Sequence, residues 1–497
     1  MSISSFVVKF LAKQAYRQNI RNQKNAIEDQ NNTYKSIIAF GRSSHYGKNF
    51  NITSNFKYNE YAEKIPVSKY ENYKEYISLI SKGEKNILTT GKPIYFAITS
   101  GTTSGTKYIP LTQKMWNYHT LAIKELLLLY AYQKNDFNFS NTAMMFIQGS
   151  PELKYYNKIP FAKLSGIAAR HIPFYLKKNR YPSVKTNKLQ PWEKKIDTIV
   201  LETYNKNMKI LGGIPPWVIT YFQALLKYTK QNTVNDVFKN LKLYIHGGTS
   251  IEPYKNTFSK LCSNIDTLEV YPASEGFFGY QNCLNDKSLL LLTNHGVFYE
   301  FISLEDFRRG ALQRIPLEDV KLHIDYVMIV STVSGLWAYN TGDTVRFVSK
   351  NPYKIMFSGR ASQYCSAFGE HVIEKEIQTA LLEGLKVCGG SVVEFTVCPK
   401  VGEDNFHSCH QWFVEFSEEP SNLLHFEKIL NQMMEKQNIY YSDLVQSNII
   451  APLKVIAVKN GGFNAYMKSI GKFGGQNKCP HLSNERKIGD YLLRNYV

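Results

Sequence analysis

Three short runs of β-forming residues each end in small residues, and this pattern limits the possible folds of the chain more than any other feature. Residues 142–148 (TAMMFIQ), 243–246 (LYIH) and 267–271 (TLEVY) lead into Gly-Ser, Gly-Gly and Pro-Ala-Ser. Apolar residues at three- and four-residue spacing predict helices at 115–132 and 217–230. Strands that alternate with helices in this way favour an α/β sheet, in which ligands bind at the ends of the strands.

The rest of the chain predicts two further kinds of structure. Runs such as YVMIVSTVSGLWAY and DTVRFV, between about residues 288 and 357, predict a mainly antiparallel block of strands joined by tight turns. Beyond Gly359 the pattern becomes α+β, with helices predicted at about 372–385 and 422–435 and strands at 392–397, 411–416 and 452–458. We therefore predict a large N-terminal domain, residues 1–358, and a small, mobile C-terminal lid domain, residues 359–497.

Composition narrows the class of protein without identifying a partner. The 60 basic and 41 acidic side chains give a net charge of +19, which would suit a nucleic acid. The basic residues are spread along the whole chain and not gathered in blocks, which disfavours a polyanion-binding face. Seven cysteines without a CxxC pair predict reduced thiols. Because no apolar run is long enough to span a membrane and no cleavage site follows the N-terminal helix, we predict a cytoplasmic protein without a membrane partner.

The most informative motif follows a predicted strand at residues 95–98. Residues 99–107 read Thr-Ser-Gly-Thr-Thr-Ser-Gly-Thr-Lys, so that eight small or hydroxylic residues precede a lysine. Successive backbone N–H groups of a Gly-rich turn, together with hydroxyls, can wrap a polyphosphate. The motif is not a Walker loop, because its second Gly comes one position early and Tyr108 replaces the magnesium-binding Ser or Thr. It predicts a different kind of phosphate-binding loop.

Three later segments supply the charged groups that a nucleotide site needs. Glu275, in YPASEGFFG, is a single carboxylate at a strand end and suits a magnesium ion that bridges phosphates. Asp343, in YNTGD, is suited to accept the two ribose hydroxyls. A Gly-rich loop near the C-terminus presents Lys472 and Lys478, and either is suited to neutralise charge on an α-phosphate. Each segment alone is equally typical of an ordinary turn.

The order of these segments is far more specific than any one of them. TSGTTSG, SEG, TGD, a Gly-Arg pair and a late lysine loop resemble the motifs of the adenylate-forming superfamily of acyl-CoA synthetases, adenylation domains and luciferases. More closely, the chain resembles a bacterial member of the Gretchen-Hagen-three (auxin-responsive) family of acyl acid–amido synthetases. That resemblance runs from about residue 40 to the C-terminus, and YPASEGFFGYQ, YNTGDTVRF and GKFGGQNKCPHLSNERK carry it.

The resemblance implies a role for each matching residue. The ATP phosphates would be bound by the first loop, at Thr99, Ser100, Gly101, Thr102, Thr103 and Lys107. The adenine and the neighbouring acyl pocket would be bordered by Gly247, Gly248, Tyr271 and Ser274. Asp343 would hold the ribose, with Arg360 as a second contact to ribose or phosphate, and Glu275 would coordinate Mg²⁺. Lys478 would be the catalytic lysine, with Lys472 as the alternative.

The family also implies a reaction in two halves. A small carboxylic acid attacks the α-phosphate of Mg-ATP to give an acyl-adenylate, and an amine such as an amino acid then takes the acyl group. The sequence assigns no base to the amine step; His371 is a candidate, although a single histidine at the start of a helix is more typical of a structural role. His481 stands after Pro480, where relatives usually carry an arginine, so the sequence leaves open whether a permanent cation acts there.

Two other functions remain compatible with the sequence. The acceptor could be the thiol of CoA or of a carrier protein, since the first half-reaction would be the same. A basic nucleic-acid-binding protein on a degenerate adenylation fold is the alternative from another class, and a clustered cationic face would support it. The intact Ser, Thr, Glu, Asp and Lys residues at the motif positions argue against a degenerate site.

Overall fold

The structure is a computed structural model of the 497-residue chain. The residues that it describes are 3–101, 105–138, 142–171, 178–189, 192–248, 251–284, 286–361, 364–365, 367–368, 372–401, 408–447, 449–472, 478–483 and 485–497.

Helices form the first part of the chain, and strands and helices are interspersed after it. The α-helices are α1 (Ile3–Lys24), α2 (Ala26–Gly41), α3 (His45–Asn49), α4 (Tyr58–Lys64), α5 (Lys74–Ser81), α6 (Gln113–Gln133), α7 (Leu164–Arg170), α8 (Val184–Asn187), α9 (Trp192–Thr203), α10 (Pro215–Thr229), α11 (Val234–Val237), α12 (Lys255–Leu261), α13 (Leu304–Arg308), α14 (Glu374–Cys388), α15 (Leu423–Gln437), α16 (Ile439–Gln446), α17 (Gly462–Ser469) and α18 (Lys487–Asn495). The strands are β1 (Tyr95–Gly101), β2 (Gly105–Leu111), β3 (Ala143–Phe146), β4 (Lys154–Tyr156), β5 (Ile159–Lys163), β6 (Arg180–Tyr181), β7 (Met208–Gly212), β8 (Leu243–Gly247), β9 (Asp266–Pro272), β10 (Phe277–Tyr280), β11 (Leu289–Leu291), β12 (Val297–Ser303), β13 (Ile315–Pro316), β14 (Asp325–Thr332), β15 (Tyr339–Lys350), β16 (Tyr353–Arg360), β17 (Tyr364–Cys365), β18 (Val372–Ile373), β19 (Ser391–Lys400), β20 (Cys409–Glu418) and β21 (Lys454–Val458).

A twelve-stranded mixed sheet organises the large part of the molecule. Its strand order is β13-β12-β14-β15-β16-β11-β10-β9-β8-β7-β3-β6. The five strands from β9 to β6 are parallel, and every other pairing in the sheet is antiparallel. The predicted α/β fold and antiparallel block are therefore confirmed. The structure adds that they form one continuous sheet, because β10 pairs with β9 on one side and with β11 on the other.

The parallel strands are buried because helices cover both faces of the sheet. Met145 and Leu211 share a core with α9 and α10, whereas their neighbours Met144 and Ile210 pack with α6 on the opposite face. Successive strand residues point to opposite faces, so a strand covered on both sides reads as a continuous apolar run. That is why all five residues of β7 are buried.

The helices that flank this sheet begin and end where the sequence supplies caps. The Thr112 side chain accepts a hydrogen bond from the Met115 backbone N–H at the start of α6, which is a standard N-cap. α10 begins with Pro215 in its first turn and ends at Lys230, whose φ of +55° leaves the helical region. Both helices match their predicted spans to within two residues. Capping therefore fixes the two helices that lie nearest to the strand ends.

A smaller α+β unit follows the large sheet. Its strands β19, β20 and β21 form a three-stranded sheet, with α14 and α15 packed on one side and α17 and α18 on the other. Each strand and long helix predicted for this part of the chain is found, and the helices α16, α17 and α18 are additional. Within the described part of the chain, no helix is both long and apolar enough to cross a bilayer.

A buried ion pair joins the N-terminal helices to the large sheet. The Arg314 Nε lies 2.9 Å from the Glu300 Oε1 on β12, and the two side chains are 2% and 0% exposed. The Tyr58 hydroxyl on α4 donates to the same carboxylate at 3.2 Å, and Arg314 donates to the carbonyls of Tyr61, Ala62 and Ile65. Burial raises the pKa of Glu300 to about 7. Removing the carboxylate would thus leave a buried guanidinium without a counter-charge.

We expect Glu300→Gln to lower the free energy of unfolding by about 3–5 kcal/mol at pH 8, since breaking a buried pair strands one charge. Urea denaturation followed by circular dichroism measures this change. The matched control is Glu60→Gln, which breaks the exposed α4 pair with Lys64 and is expected to cost about 0.5 kcal/mol. Equal effects of the two substitutions would contradict this account of the fold.

Candidate active site

One large cavity lies at the carboxyl ends of the parallel strands. Its volume is about 2540 Å³, and it is bordered by the residues that follow β3, β7, β8 and β9. The small C-terminal unit closes the other side with Glu374, Glu394, Lys478 and His481. Parallel α/β sheets place ligands in this position, because the loops there converge while the sheet beneath stays rigid.

The described residues of the predicted phosphate loop belong to two paired strands. β1 and β2 pair in an antiparallel register that sets Thr99 opposite Lys107 and Gly101 opposite Gly105. Thr99 and Lys107 both line the cavity. Ser100 and Gly101 belong to the end of β1, and Thr102 and Thr103 lie outside the described residues. The sequence suggested a strand followed by a loop, and the antiparallel return of the chain through β2 is new.

Gly247 and Gly248 end β8 at the cavity wall, and each has a steric reason to be glycine. A Cβ at Gly247 would lie 2.4 Å from the Val270 carbonyl oxygen. Gly248 has a φ of +79°, and a Cβ there would lie 3.0 Å from the Lys478 Nζ. Such distances are shorter than ordinary van der Waals contact. The two glycines therefore let Lys478 of the C-terminal unit reach the end of β8.

Asp343 joins three strands at the edge of the cavity. The Tyr271 hydroxyl on β9 donates to its Oδ2 at 2.7 Å, and the Arg360 Nε on β16 lies 3.2 Å from its Oδ1. Although Asp343 is buried, its Oδ1 accepts no hydrogen bond from the described residues. Arg360 lines the cavity, and Asp343 raises its pKa. A buried carboxylate oxygen that has an ion pair but no hydrogen-bond donor, beside an open cavity, fits a hydroxyl-bearing ligand such as a ribose.

The turn around Asp343 is built from its own side chains. The Gly342 N–H donates to the Asn340 Oδ1 at 2.8 Å, and the Asp343 N–H donates to the Thr341 hydroxyl at 3.1 Å. This is the Asx turn that the sequence also allowed. The same turn also holds the Asp343 carboxylate at the edge of the cavity. The structural and the functional interpretations of this motif are therefore compatible.

Ser274 and Glu275 follow β9 and line the same cavity. The Ala273 N–H donates to the Gly276 carbonyl at 2.9 Å, which closes a tight turn around them. Burial raises the pKa of Glu275 to about 7; Asp343 adds to the rise, while Lys107 and Arg360 oppose it. A carboxylate surrounded by other charges at a phosphate site is a suitable ligand for a hard divalent cation, whose charge would favour its ionised form.

Lys478 enters this group from the C-terminal unit. Its side chain lines the cavity and is exposed there. Desolvation and the nearby Arg360 lower its pKa to about 8, although Glu374 and Asp343 oppose the change. Lys472 also lines the cavity. Of the two candidate lysines, Lys478 has electrostatic contact with both Asp343 and Arg360, which makes it the stronger candidate.

The sequence did not identify the ion cluster that lies behind Lys478. His481 Nδ1 is 2.8 Å from the Glu374 Oε1, and its Nε2 is 3.1 Å from the Glu394 Oε1. Its ring stacks on Phe395 with a centroid distance of 4.2 Å. These two carboxylates raise the pKa of His481 to about 10 against the effect of burial. His481 is therefore an imidazolium, and a cation occupies the position after Pro480 that the sequence left open.

This cluster also contacts the large sheet domain. The Tyr254 hydroxyl donates to the Glu394 Oε1 at 3.2 Å, and Lys260 forms an ion pair with Glu418. His481 also holds Glu374 next to Lys478, and hydrogen bonding to His481 helps to lower the pKa of Glu374. The cluster therefore orders the C-terminal unit against the cavity. No sequence motif marked Glu374 or Glu394, because each is an isolated acid in its own segment.

Two aromatic side chains belong to the wall of the cavity, and a third beside them does not. Trp217 and Phe277 line the cavity, whereas Phe278 is fully buried in the core. His371, the candidate base of the amine step, lies outside the described residues.

Comparison with known proteins agrees with this geometry. The GH3 family N-terminal domain matches residues 16–191, the GH3 family central domain matches residues 290–360, and the GH3 family C-terminal domain matches residues 375–487. The three matches follow the family order and together span most of the chain. The chain belongs to the GH3 family. The resemblance to this family drawn from the motifs is thereby confirmed, whereas the bacterial origin stays a prediction.

Curated relatives are distant but extend over most of this GH3 chain. A jasmonoyl–L-amino acid synthetase of Nicotiana attenuata is 23% identical over 78% of this chain and 79% of its own length. An indole-3-acetic acid-amido synthetase of Arabidopsis thaliana is 20% identical over 87% of this chain and 84% of its own length. A third match, to a probable indole-3-acetic acid-amido synthetase of Arabidopsis thaliana, is 26% identical but covers only 40% of that relative.

Solved structures show the same fold. A GH3.15 acyl acid amido synthetase superposes with a TM-score of 0.81 at 16% identity, over 100% of this chain and 97% of that one. A 2-hydroxyisobutyryl-CoA ligase superposes with a TM-score of 0.61 at 11% identity, over 95% and 92% of the two chains. The GH3 chain thus has the adenylate-forming fold.

We expect His481→Gln to destabilise the protein by about 3–5 kcal/mol at pH 7, because two partly buried carboxylates lose their buried cation, and His481→Arg to retain most of the stability. Because folding raises the pKa of His481 from 6.5 to about 10, its stabilisation is complete below pH 6.5 and is lost as the pH rises through 10. The arginine variant should not show this loss.

Urea denaturation between pH 6 and pH 10 measures both effects. The matched control is His425→Gln, on the exposed surface of α15. If His481→Gln unfolded at the same urea concentration as the control, the ion cluster would not stabilise the C-terminal unit.

Proposed function

We propose that this GH3 protein is an acyl acid–amido synthetase of the cytoplasm. It activates a small carboxylic acid with ATP, releases pyrophosphate, and transfers the acyl group from the acyl-adenylate to an amine such as an amino acid, with release of AMP. The supporting observation is the convergence of Lys478, Glu275 and Asp343 on one cavity, although each comes from a different part of the chain. Family membership and the acyl acid–amido synthetase names of the relatives support the same reaction.

The residues present fit ATP as a substrate. The buried Asp343 Oδ1 receives no hydrogen bond from the described residues and can accept one from a ribose hydroxyl, while Tyr271 and Arg360 hold its carboxylate in place. We assign the adenine border to Gly247, Gly248, Tyr271 and Ser274. We assign the phosphates to the β1–β2 hairpin with Thr99 and Lys107. Glu275 would hold Mg²⁺, which neutralises phosphate charge when it is bound.

In the first half-reaction a carboxylate oxygen of the acid attacks the α-phosphorus of ATP, and pyrophosphate leaves. Catalysis of such a displacement consists mainly of alignment and of neutralising charge on the in-line oxygens. Lys478 supplies a cation beside the end of β8, since a Cβ at Gly248 would lie only 3.0 Å from its Nζ. Desolvation destabilises the charged form of Lys478 in the free protein. A bound phosphate would supply the counter-charge that stabilises this form.

In the second half-reaction the amine nitrogen attacks the acyl carbonyl carbon, AMP leaves, and the amine loses a proton. We propose that residues 359–497 act as the lid, with a hinge near residues 359–363. Gly359 has a φ of +127°, a conformation that favours glycine, at the point where β16 ends. A lid in this position excludes water from the reactive adenylate and admits the acceptor when it turns.

The first experiment is acid-dependent exchange of labelled pyrophosphate into ATP over a panel of carboxylic acids. We expect Lys478→Ala and Glu275→Ala each to reduce exchange about 10²–10³-fold, the usual effect of losing one preorganised electrostatic group. The matched control is Lys472→Ala, which removes the other lysine of the C-terminal loop that lines the cavity. A larger loss in Lys472→Ala than in Lys478→Ala would reverse the assignment of the catalytic lysine.

Absence of exchange with every acid would exclude the adenylation reaction. If exchange occurs, the acceptor is identified by adding amino acids or CoA to the acid that supports it. Amide formation supports the proposal, whereas formation of a thioester alone would replace it with an acid–thiol ligase.

The pH dependence of kcat/KM for ATP provides a second test. Activity should rise through about pH 7 as Glu275 ionises to hold the cation, and fall above about pH 8 as Lys478 loses its proton. The Lys478→Arg variant should retain activity on the alkaline side, because a guanidinium stays charged. If kcat/KM fell above about pH 8 in Lys478→Arg as it does in the wild type, a group other than Lys478 would titrate there.

A further inference from the structure

A partly buried arginine without a carboxylate partner among the described residues lines the cavity at its β6 side. Arg180 is on β6, the edge strand next to β3, and it lines the cavity. Its guanidinium rests 4.2 Å from the centre of the Phe146 ring and donates one hydrogen bond of 2.9 Å to the Gln148 Oε1. Among the described residues, no carboxylate lies within 4.0 Å of it. Four of its five N–H donors therefore have no hydrogen-bond acceptor among those residues.

This arrangement is an exception in the chain. The other arginines that are partly buried or belong to the cavity each form an ion pair with a carboxylate: Arg314, Arg346, Arg360 and Arg486. Burying a guanidinium without a counter-ion is costly, so such a group is retained where a ligand supplies the charge. Burial lowers the pKa of Arg180 to about 10, which still leaves it charged at pH 7–8.

The surroundings hold Arg180 in a fixed orientation. Phe146 covers one face of the guanidinium, so its N–H edges remain available for a planar anion. Gln148 is anchored in turn, because the Lys195 Nζ donates to its backbone carbonyl at 2.7 Å. Lys195 is itself buried, and its ammonium also donates to the Asn187 carbonyl at 3.2 Å. A partly buried cation, Arg180, and a buried one, Lys195, therefore both donate to Gln148, two residues beyond the end of β3.

The position of Arg180 separates it from the reacting atoms. β6 lies three strands from β8, a distance of about 14 Å at the usual spacing of neighbouring strands. The proposed adenylate site lies at the end of β8, beside Lys478. The residues between the two ends include Gly212, Gly213 and Trp217, which line the cavity. Arg180 is therefore placed to meet the end of an acyl chain that is remote from the activated carboxylate.

We propose that Arg180 binds a second carboxylate at the distal end of the acyl acid, so that the preferred substrates are dicarboxylic acids. This inference rests on the proposed function. One carboxylate of the acid reacts beside Lys478, and the other forms a bidentate pair with the guanidinium edge that Phe146 and Gln148 leave free.

The test compares linear dicarboxylic acids, from succinate to dodecanedioate, with monocarboxylic acids of the same length in the pyrophosphate exchange assay. This assay contains no amine, so any effect belongs to the acid. We expect the wild-type protein to prefer a dicarboxylic acid, and Arg180→Met to lower the ratio of kcat/KM for that acid over its monocarboxylic counterpart about 10–100-fold. Arg180→Lys should recover part of the ratio.

Arg309→Met, on the exposed surface, is the matched control and should leave the ratio unchanged. An equal ratio in Arg180→Met and in the wild type would overturn the proposal. So would an effect of Arg180→Met that is confined to amide formation, since the carboxylate would then belong to the amino acid.

A binding measurement separates failure of this proposal from failure of the proposed function. Trp192 and Trp217 lie at the cavity, so titration of the dicarboxylic acid can be followed by tryptophan fluorescence without ATP. Binding that weakens about 10–100-fold in Arg180→Met supports the subsite even if no acid promotes exchange. Binding of equal strength in both proteins, or no saturable binding to the wild type, would overturn it.

Discussion

The carboxylate of Asp343 is the interaction on which the rest of the site depends. It connects β9 through Tyr271 and β16 through Arg360, and it lies on β15 itself. Its charge also acts on the other functional groups, because it raises the pKa of Glu275 and of Arg360 and opposes the lowering of the pKa of Lys478. One side chain therefore helps to fix the geometry of the cavity edge and contributes, after desolvation, to the protonation of Glu275 and Lys478.

Periodicity was sufficient to predict most of the fold. The parallel strands read as short apolar runs because helices cover them on both faces, and α6 and α10 read as helices because their apolar residues repeat at helical spacing. Periodicity does not report which strands are neighbours. The continuity of the large sheet depends on the pairing of β10 with β9 and β11, and the hairpin depends on the register of Thr99 with Lys107. These are long-range or register properties, and a linear pattern does not contain them.

The site could be predicted where its residues occur in contiguous motifs. Glu275, Asp343 and Lys478 each lie in such a segment, and the structure brings them to one cavity. Their roles in binding and catalysis stay predictions until the exchange assay is done. His481 is different, because its two carboxylate partners are 107 and 87 residues away in the sequence. The substitution of histidine for arginine suggested a missing cation, whereas the fold supplies the carboxylates that keep the imidazole charged.

The hairpin at the proposed phosphate site affects how nucleotide binding and lid closure depend on each other. The element that follows the loop is the strand β2 and not a helix, so the loop does not lead into the positive end of a helix dipole. Under the proposed function, much of the compensating charge must then come from side chains, and Lys478 belongs to the lid. Lid closure and nucleotide affinity are therefore linked by one coupling free energy, which by thermodynamic reciprocity acts equally in both directions. The nucleotide tightens the closed lid by the same factor by which the closed lid tightens the nucleotide.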